Sequence, residues 1–86
     1  MSIEVIGIIP IQVFPVSTIL TRFSAEERVA IRQSPSLYVQ DWWEVLYTKE
    51  SVDVKESWFA DGINLLVTES LLSEERKVVI EEVVYK

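Results

Sequence analysis

The sequence predicts an α+β fold, in which a small N-terminal region of two or three short β-strands precedes a compact bundle of three to four helices. Residues 1–22 are rich in Ile, Val and Thr and carry two charged residues, Glu4 and Arg22. From Phe23 onward, apolar residues recur at helical spacing and helix-start signals appear. The chain has 86 residues, of which 49% are hydrophobic, enough for one core. We therefore expect a single domain, β-rich over residues 1–22 and helical over residues 23–86.

The N-terminal segment alternates as β-strands do. Most of its apolar residues share one parity, which predicts strands near residues 2–8, 11–14 and 17–22. Pro10 and Pro15 cannot donate to a β-ladder, so we expect them at bends or on an edge. Two or three strands cannot bury themselves. They either pack on the helices as a small sheet or form an edge that pairs with a neighbouring subunit, making a homo-oligomer.

The first helix is predicted over residues 25–33. Ser24 and Glu27 form a capping box, in which each side chain accepts a hydrogen bond from the backbone N–H of the other residue. The expected inward side chains of this helix are Val29, Ala25 and Ala30.

The second helix is predicted over residues 35–48. Ser34 would be its N-cap and Pro35 its first helical residue, where a missing N–H costs nothing. Its apolar residues cover most of the circumference, which predicts a central and heavily packed helix. These residues are Tyr38, Val39, Trp42, Trp43, Val45 and Leu46.

A third helix, ending near Glu69, follows a polar link at residues 49–53 with a short extended piece at Val52. It starts either at an Asp53–Glu56 capping pair or at Ser57. One polar stripe runs along it, at the positions Ser57, Asp61, Asn64 and Thr68. Gly62 is unfavourable inside a helix, so we expect it to allow the close approach of a neighbouring element.

Ser73 is predicted to cap a fourth helix, with Glu74 and Glu75 in its first turn. Its apolar residues keep helical spacing as far as Val84, although their β-branching makes the last turn weak.

The sequence lacks the residues that several kinds of catalysis and metal binding require. The chain contains neither histidine nor cysteine, which removes the commonest general base and the commonest transition-metal ligands. Neighbouring glutamates on a helix point about 100° apart and do not converge on an ion. Two glycines cannot build a glycine-rich phosphate loop. We therefore expect no enzyme, no catalytic or metal-binding residues and no cofactor.

The charge also limits the partners. The net charge is −6, with eight basic against fourteen acidic residues, so binding to nucleic acid is not expected. The apolar N-terminal run lacks a basic region and is interrupted by Glu4 and Pro10, which predicts neither a signal peptide nor a membrane span. The expected binding partner is therefore another protein.

Four residues are candidates for contact with that partner. Arg28 and Arg32 lie four residues apart, on one helical face, and belong with Arg22 to the one basic cluster of the sequence. Trp42 and Trp43 point in diverging directions, so we expect at least one in the core and the other near the surface, where tryptophan often anchors an interface.

The runs FSAEERVAIRQS, VQDWWEVL and ADGINLLVTESLLSEERKVVI resemble small uncharacterised proteins of tailed bacteriophages and prophages. The resemblance covers about residues 23–81, and it departs from the expected pattern at Ser70, where a helix end of this type usually carries glycine. It implies a phage setting, in the bacterial host cytoplasm or the virion, and no particular activity. The expected function is a non-enzymatic structural or accessory protein. The alternative is a small transcription regulator that contacts DNA through a helix–turn–helix-like unit or acts as an acidic DNA mimic.

Overall fold

A computed structural model of the protein describes residues 9–85. These residues form an α+β fold of five helices and four short strands. In chain order the elements are β1 (Pro10–Ile11), β2 (Val13–Pro15), α1 (Val16–Arg22), α2 (Ala25–Arg32), α3 (Leu37–Thr48), β3 (Ser51–Asp53), α4 (Ser57–Thr68), α5 (Glu74–Ile80) and β4 (Val84–Tyr85).

The strands form two antiparallel pairs that join distant parts of the chain. β1 pairs with β4, with Ile11 opposite Val84, and β2 pairs with β3, with Phe14 opposite Val52. The extended piece at Val52 is confirmed. The strand predicted at residues 11–14 is divided at Gln12 into β1 and β2, which pair with different strands, and the strand predicted at residues 2–8 lies outside the described residues. In the described part, the N-terminal strands therefore pair within their own chain.

The strand predicted at residues 17–22 is wrong, because these residues belong to α1. Ile19 is fully buried, and Val16 and Leu20 are partly buried against the core. This spacing of three and four residues is helical, and tertiary packing outweighs the β-propensity of the β-branched residues. The β-rich segment consequently ends at Pro15.

Helix α2 begins as predicted, but the face that it buries differs from the predicted one. The capping box is confirmed: the Ser24 N–H donates to Glu27 Oε1 at 2.7 Å and the Glu27 N–H donates to Ser24 Oγ at 3.1 Å. The helix buries Ile31 completely. The predicted inward face is wrong, because three residues placed there lie toward or at the surface: Val29 and Ala25 are exposed and Ala30 is half-buried.

Helix α3 begins two residues later than predicted. Ser36 is its N-cap, since its hydroxyl accepts the Val39 N–H, while the Ser34 hydroxyl accepts the Ser36 N–H. Pro35 therefore precedes the helix. As predicted, α3 is central, because it packs against α2 on one side and α4 on the other.

Helix α4 starts at Ser57, with Glu56 in the N-cap position and no side-chain cap. Asp53 instead accepts hydrogen bonds from Gln12 Nε2 and from the Lys55 N–H. The polar stripe is confirmed, since its four residues are exposed: Ser57, Asp61, Asn64 and Thr68. Gly62 is buried, and a Cβ atom at this position would overlap the Trp42 indole. The close approach expected at Gly62 is therefore made by a tryptophan ring.

Helix α5 is capped by Ser73, as predicted, but it ends at Ile80. Val84, expected in its last turn, lies in β4. The core lies between the helices and the β2–β3 pair. Its buried apolar residues are Phe14, Ile19, Phe23, Ile31, Val39, Trp42, Trp43, Leu46, Val52, Val54, Phe59, Ile63, Leu66, Leu72 and Ile80.

Candidate functional site

Trp42 and Trp43 are both core residues, so the expectation that one stays near the surface is wrong. Trp43 packs edge-on against Phe23, with ring centroids 5.3 Å apart. Trp42 lies beside Trp58 and Phe59, at 5.5 and 5.9 Å between centroids. The two side chains do diverge, but α3 is central, and a neighbouring element covers each direction. Neither tryptophan can serve as an exposed anchor in this fold.

Arg28 holds the end of α1. Its Nη1 donates to the carbonyl oxygens of Leu20 at 3.0 Å and Phe23 at 2.6 Å. These belong to the last carbonyls of a helix, which lack partners inside the helix. Arg28 is half-buried, whereas Arg32, four residues further on, is exposed. The two arginines share a helical face without forming an open basic pair.

Arg22 holds the end of α5 in the same way. Its Nη1 donates to the carbonyl oxygens of Ile80 at 2.9 Å and Glu82 at 2.7 Å. Its guanidinium carbon also lies 4.3 Å from the centroid of the Phe14 ring. The basic cluster seen in the sequence is thus committed in large part to backbone carbonyls and aromatic packing, which leaves little of it for phosphate binding.

Arg76, which was not among the predicted site residues, completes this network. Its Nε and Nη2 donate to both carboxylate oxygens of Glu27, at 2.7 and 2.9 Å, and its Nη2 also donates to the Arg22 carbonyl at 2.7 Å. The hydrogen bonds from Arg76 lower the pKa of the Glu27 carboxyl, against the opposing effect of burial. The pair is separated by 49 residues, and no local sequence signal connects them.

Over residues 9–85, the two most exposed large apolar side chains lie at the start of α3, and the preceding helix, α2, carries an apolar groove. Ala25, Val29 and Ala30 line a shallow groove of about 400 Å³, with Glu26 and Gln33 at its rim. Leu37 and Tyr38, the first residues of α3, are 81% and 80% exposed. Gln33 and Leu37 are four residues apart, so they lie within about 14 Å of each other. We call this surface the α2–α3 corner.

Two other clefts are visible in the described part of the chain. One, of about 200 Å³, lies between the β2–β3 pair and the start of α4, where Lys49 Nζ sits 4.8 Å from the Trp58 ring centroid. The other, of about 340 Å³, lies beside α5 and includes Lys55, Val78 and Tyr85. Over residues 9–85, no three acidic side chains gather closely enough to hold a metal ion.

Within residues 9–85, no helix has the length and the apolar run needed to cross a bilayer. Comparison with protein-family models, with curated protein sequences and with solved structures finds no match. The resemblance of residues 23–81 to phage proteins therefore stays a prediction, as does the contact of Arg28 and Arg32 with a partner.

Proposed function

We propose that this protein is a non-enzymatic structural or accessory protein of a phage or prophage, and that it acts through protein–protein contact at the α2–α3 corner. The supporting observation is the exposure of Leu37 and Tyr38 at the start of α3, together with the apolar groove on the preceding helix, α2. Apolar residues that cluster on a surface mark interaction sites more often than scattered ones do.

Burial energies support this choice of surface. Covering a large apolar side chain contributes about 1.5–3 kcal/mol. Tyrosine combines a large apolar ring with one polar group and loses little conformational entropy, which makes it a frequent anchor of interfaces. A partner that covers Leu37, Tyr38 and the Val29 groove would gain from several such contacts at once.

The phage setting rests on the resemblance over residues 23–81, a range that includes α2 through α5. A structural or assembly role needs surface and no catalytic groups, and the absence of histidine and cysteine from the sequence fits that requirement. The place of action would be the host cytoplasm during assembly, or the virion.

The test is recovery of a partner from a host in which the phage is induced. The tagged protein is compared with the double variant Leu37→Ser/Tyr38→Ser by quantitative mass spectrometry of co-purified proteins. We expect a phage assembly or virion protein to be enriched with the original chain and to fall by about tenfold or more with the variant.

The matched control is Val13→Ser, which removes an exposed apolar side chain from β2, away from the corner. Circular dichroism checks that each variant is folded. If the variant and the original chain recover the same proteins equally, or if no phage component is enriched, the proposal fails.

The alternative function, regulation of transcription, has less support from the side chains. Arg22 and Arg28 direct their guanidinium groups at backbone carbonyls, as described above. A gel-shift titration at low salt tests direct DNA contact, and a competition assay against a DNA-binding protein tests DNA mimicry. A specific shift or competition would favour this function over structural contact.

A further inference from the structure

The outer face of α5 carries apolar side chains between acidic ones. Val78 is 71% exposed, Val79 is also exposed, and Tyr85 of the adjoining β4 is 65% exposed. Glu74 and Glu75 precede the valines by one helical turn and are exposed. Because residues four apart share a helical face, acidic and apolar residues alternate along two rows, Glu74–Val78 and Glu75–Val79. We call this surface the α5 face.

The basic residues of α5 are engaged elsewhere. Arg76 binds Glu27 on α2, and Lys77 Nζ lies 3.5 Å from Oε1 of Glu81. Neither of them neutralises Glu74 or Glu75 in the described structure. Glu82, just beyond the helix, is exposed as well.

A groove of about 340 Å³ runs beside these residues and is lined by Val78, Val83 and Tyr85, with Glu81 and Glu82 on its wall and one basic residue, Lys55. Glu81 is paired with Lys77, and Glu82 and Lys55 carry opposite charges, so the net negative charge of the α5 face comes from Glu74 and Glu75. A surface of this kind repels phosphate groups and anionic lipid, and it attracts cationic groups.

We propose that the α5 face binds a basic amphipathic helix of a partner protein. Apolar side chains of that helix would cover Val78, Val79 and Tyr85. Its lysines or arginines, spaced three or four residues apart, would lie over Glu74 and Glu75. Charge complementarity selects this occupant, because an acidic or neutral helix would leave the glutamates uncompensated at the edge of an apolar contact. The surface is separate from the α2–α3 corner, so the inference does not depend on the proposed function.

The experiment uses the full chain labelled with ¹⁵N and two synthetic amphipathic peptides of about 14 residues, which is roughly four helical turns. Both peptides have the same leucines, and they differ in carrying lysine or glutamate at the flanking positions. We expect the lysine peptide to shift the backbone amide signals of residues 74–85 and the glutamate peptide to leave them unchanged. Raising the salt from about 50 to about 300 mM should weaken the binding severalfold.

Matched variants separate a specific face from general attraction to an acidic protein. Glu74→Gln/Glu75→Gln removes two charges from the α5 face, and Asp41→Asn/Glu44→Gln removes two exposed charges from α3. The first pair should weaken lysine-peptide binding by about tenfold and the second by less than about twofold. Val78→Ser tests the apolar part and should also weaken binding.

Circular dichroism of each variant confirms that α5 is intact before binding is compared. Equal weakening by the two charge pairs, shifts spread over the whole surface, or equal binding of the glutamate peptide would each overturn the proposal. None of these results bears on the α2–α3 corner, which is tested by its own variants.

Discussion

Ser70 carries an unusual conformation for a residue with a side chain. It has φ = 61°, in the left-handed region that favours glycine. It follows α4 and forms a Schellman motif, in which the Leu71 N–H donates to the Leu66 carbonyl at 2.9 Å and the Ser70 N–H donates to the Val67 carbonyl at 3.0 Å. Glycine is the usual residue at this position of the turn. The turn therefore forms with serine in its place, at an energetic cost.

Ser70→Gly should stabilise the protein by about 0.5–1 kcal/mol, because glycine adopts the left-handed conformation without the steric cost of a Cβ atom. Urea denaturation followed by tryptophan fluorescence measures the free energy of unfolding. The control is Glu69→Gly, one residue earlier, where φ is −85° and glycine relieves nothing. This control should be destabilised. A stability gain at Glu69, or none at Ser70, would contradict the argument.

At Gly62 the requirement for glycine is steric, because a Cβ atom at this position would overlap the Trp42 side chain. Alanine would improve helix propensity by about 1 kcal/mol. However, its Cβ atom would overlap the Trp42 ring, which is held by Trp58 and Phe59. The sequence predicted a close approach at this position. It could not predict which group approaches, because Trp42 lies on another helix.

The starts of α2 and α5 could be predicted from the sequence, whereas the start of α3 and the contacts that hold the ends of α1 and α5 could not. Ser24 and Ser73 cap α2 and α5 as expected, because an N-cap bonds to an amide only three residues away. The ends of α1 and α5 are held by arginines from other elements. Gly62 lies inside α4, so no helix within residues 9–85 ends with a glycine. Such long-range caps leave no local pattern, and for the same reason the hydrogen bonds of Arg22 and Arg28 to backbone carbonyls could not be predicted.

The link between α2 and α5 should make stability depend on pH. The pKa of Glu27 is lowered from its usual 4.5 in the folded protein, mainly by hydrogen bonds from Arg76. Its contribution is therefore fully present above the unfolded pKa and is lost as the pH falls through the folded pKa.

Glu27→Gln should lower the free energy of unfolding by about 1–2 kcal/mol at pH 7, a value reduced for the partial exposure of Arg76. The difference from the original chain should shrink below about pH 4. Urea titrations at a series of pH values measure it. Glu26→Gln is the control, since Glu26 is exposed in the same helical turn. An equal effect from Glu26, or a pH-independent loss, would refute the assignment.

At the scale of the whole molecule, the first and last strands of the described residues, 9–85, are held together. β1 pairs with β4, and the α1–α5 junction carries hydrogen bonds in both directions, since Arg22 binds carbonyls at the end of α5 and Arg76 binds the Arg22 carbonyl. The sequence pattern predicts the α+β class. It does not predict this closure, because pairing partners some 70 residues apart are chosen by the packing of everything between them.

A double-mutant cycle of Arg22→Met and Arg76→Met should show coupling of about 0.5–3 kcal/mol, because both side chains serve one junction. Stability is measured for the two single variants and the double variant by denaturant unfolding. Arg22→Met combined with Arg32→Met is the control, since Arg32 is exposed at the far end of α2, and its effects should add. Additivity in the first cycle would show that the two ends are held independently.

The reciprocal hydrogen bonds between α1 and α5 also determine the order in which parts of the chain can fold during synthesis. During synthesis, Arg22 is added to the chain long before Arg76. The hydrogen bond to the Arg22 carbonyl therefore cannot form until Arg76 has been made. In the same way, β1 cannot pair until Val84 and Tyr85 have been synthesised. Contacts between distant residues slow folding, because the chain must close large loops before they form. β1 and the end of α1 therefore reach their final state only after residues 76–85 have been synthesised, and a nascent chain halted before residue 76 would still lack both closures.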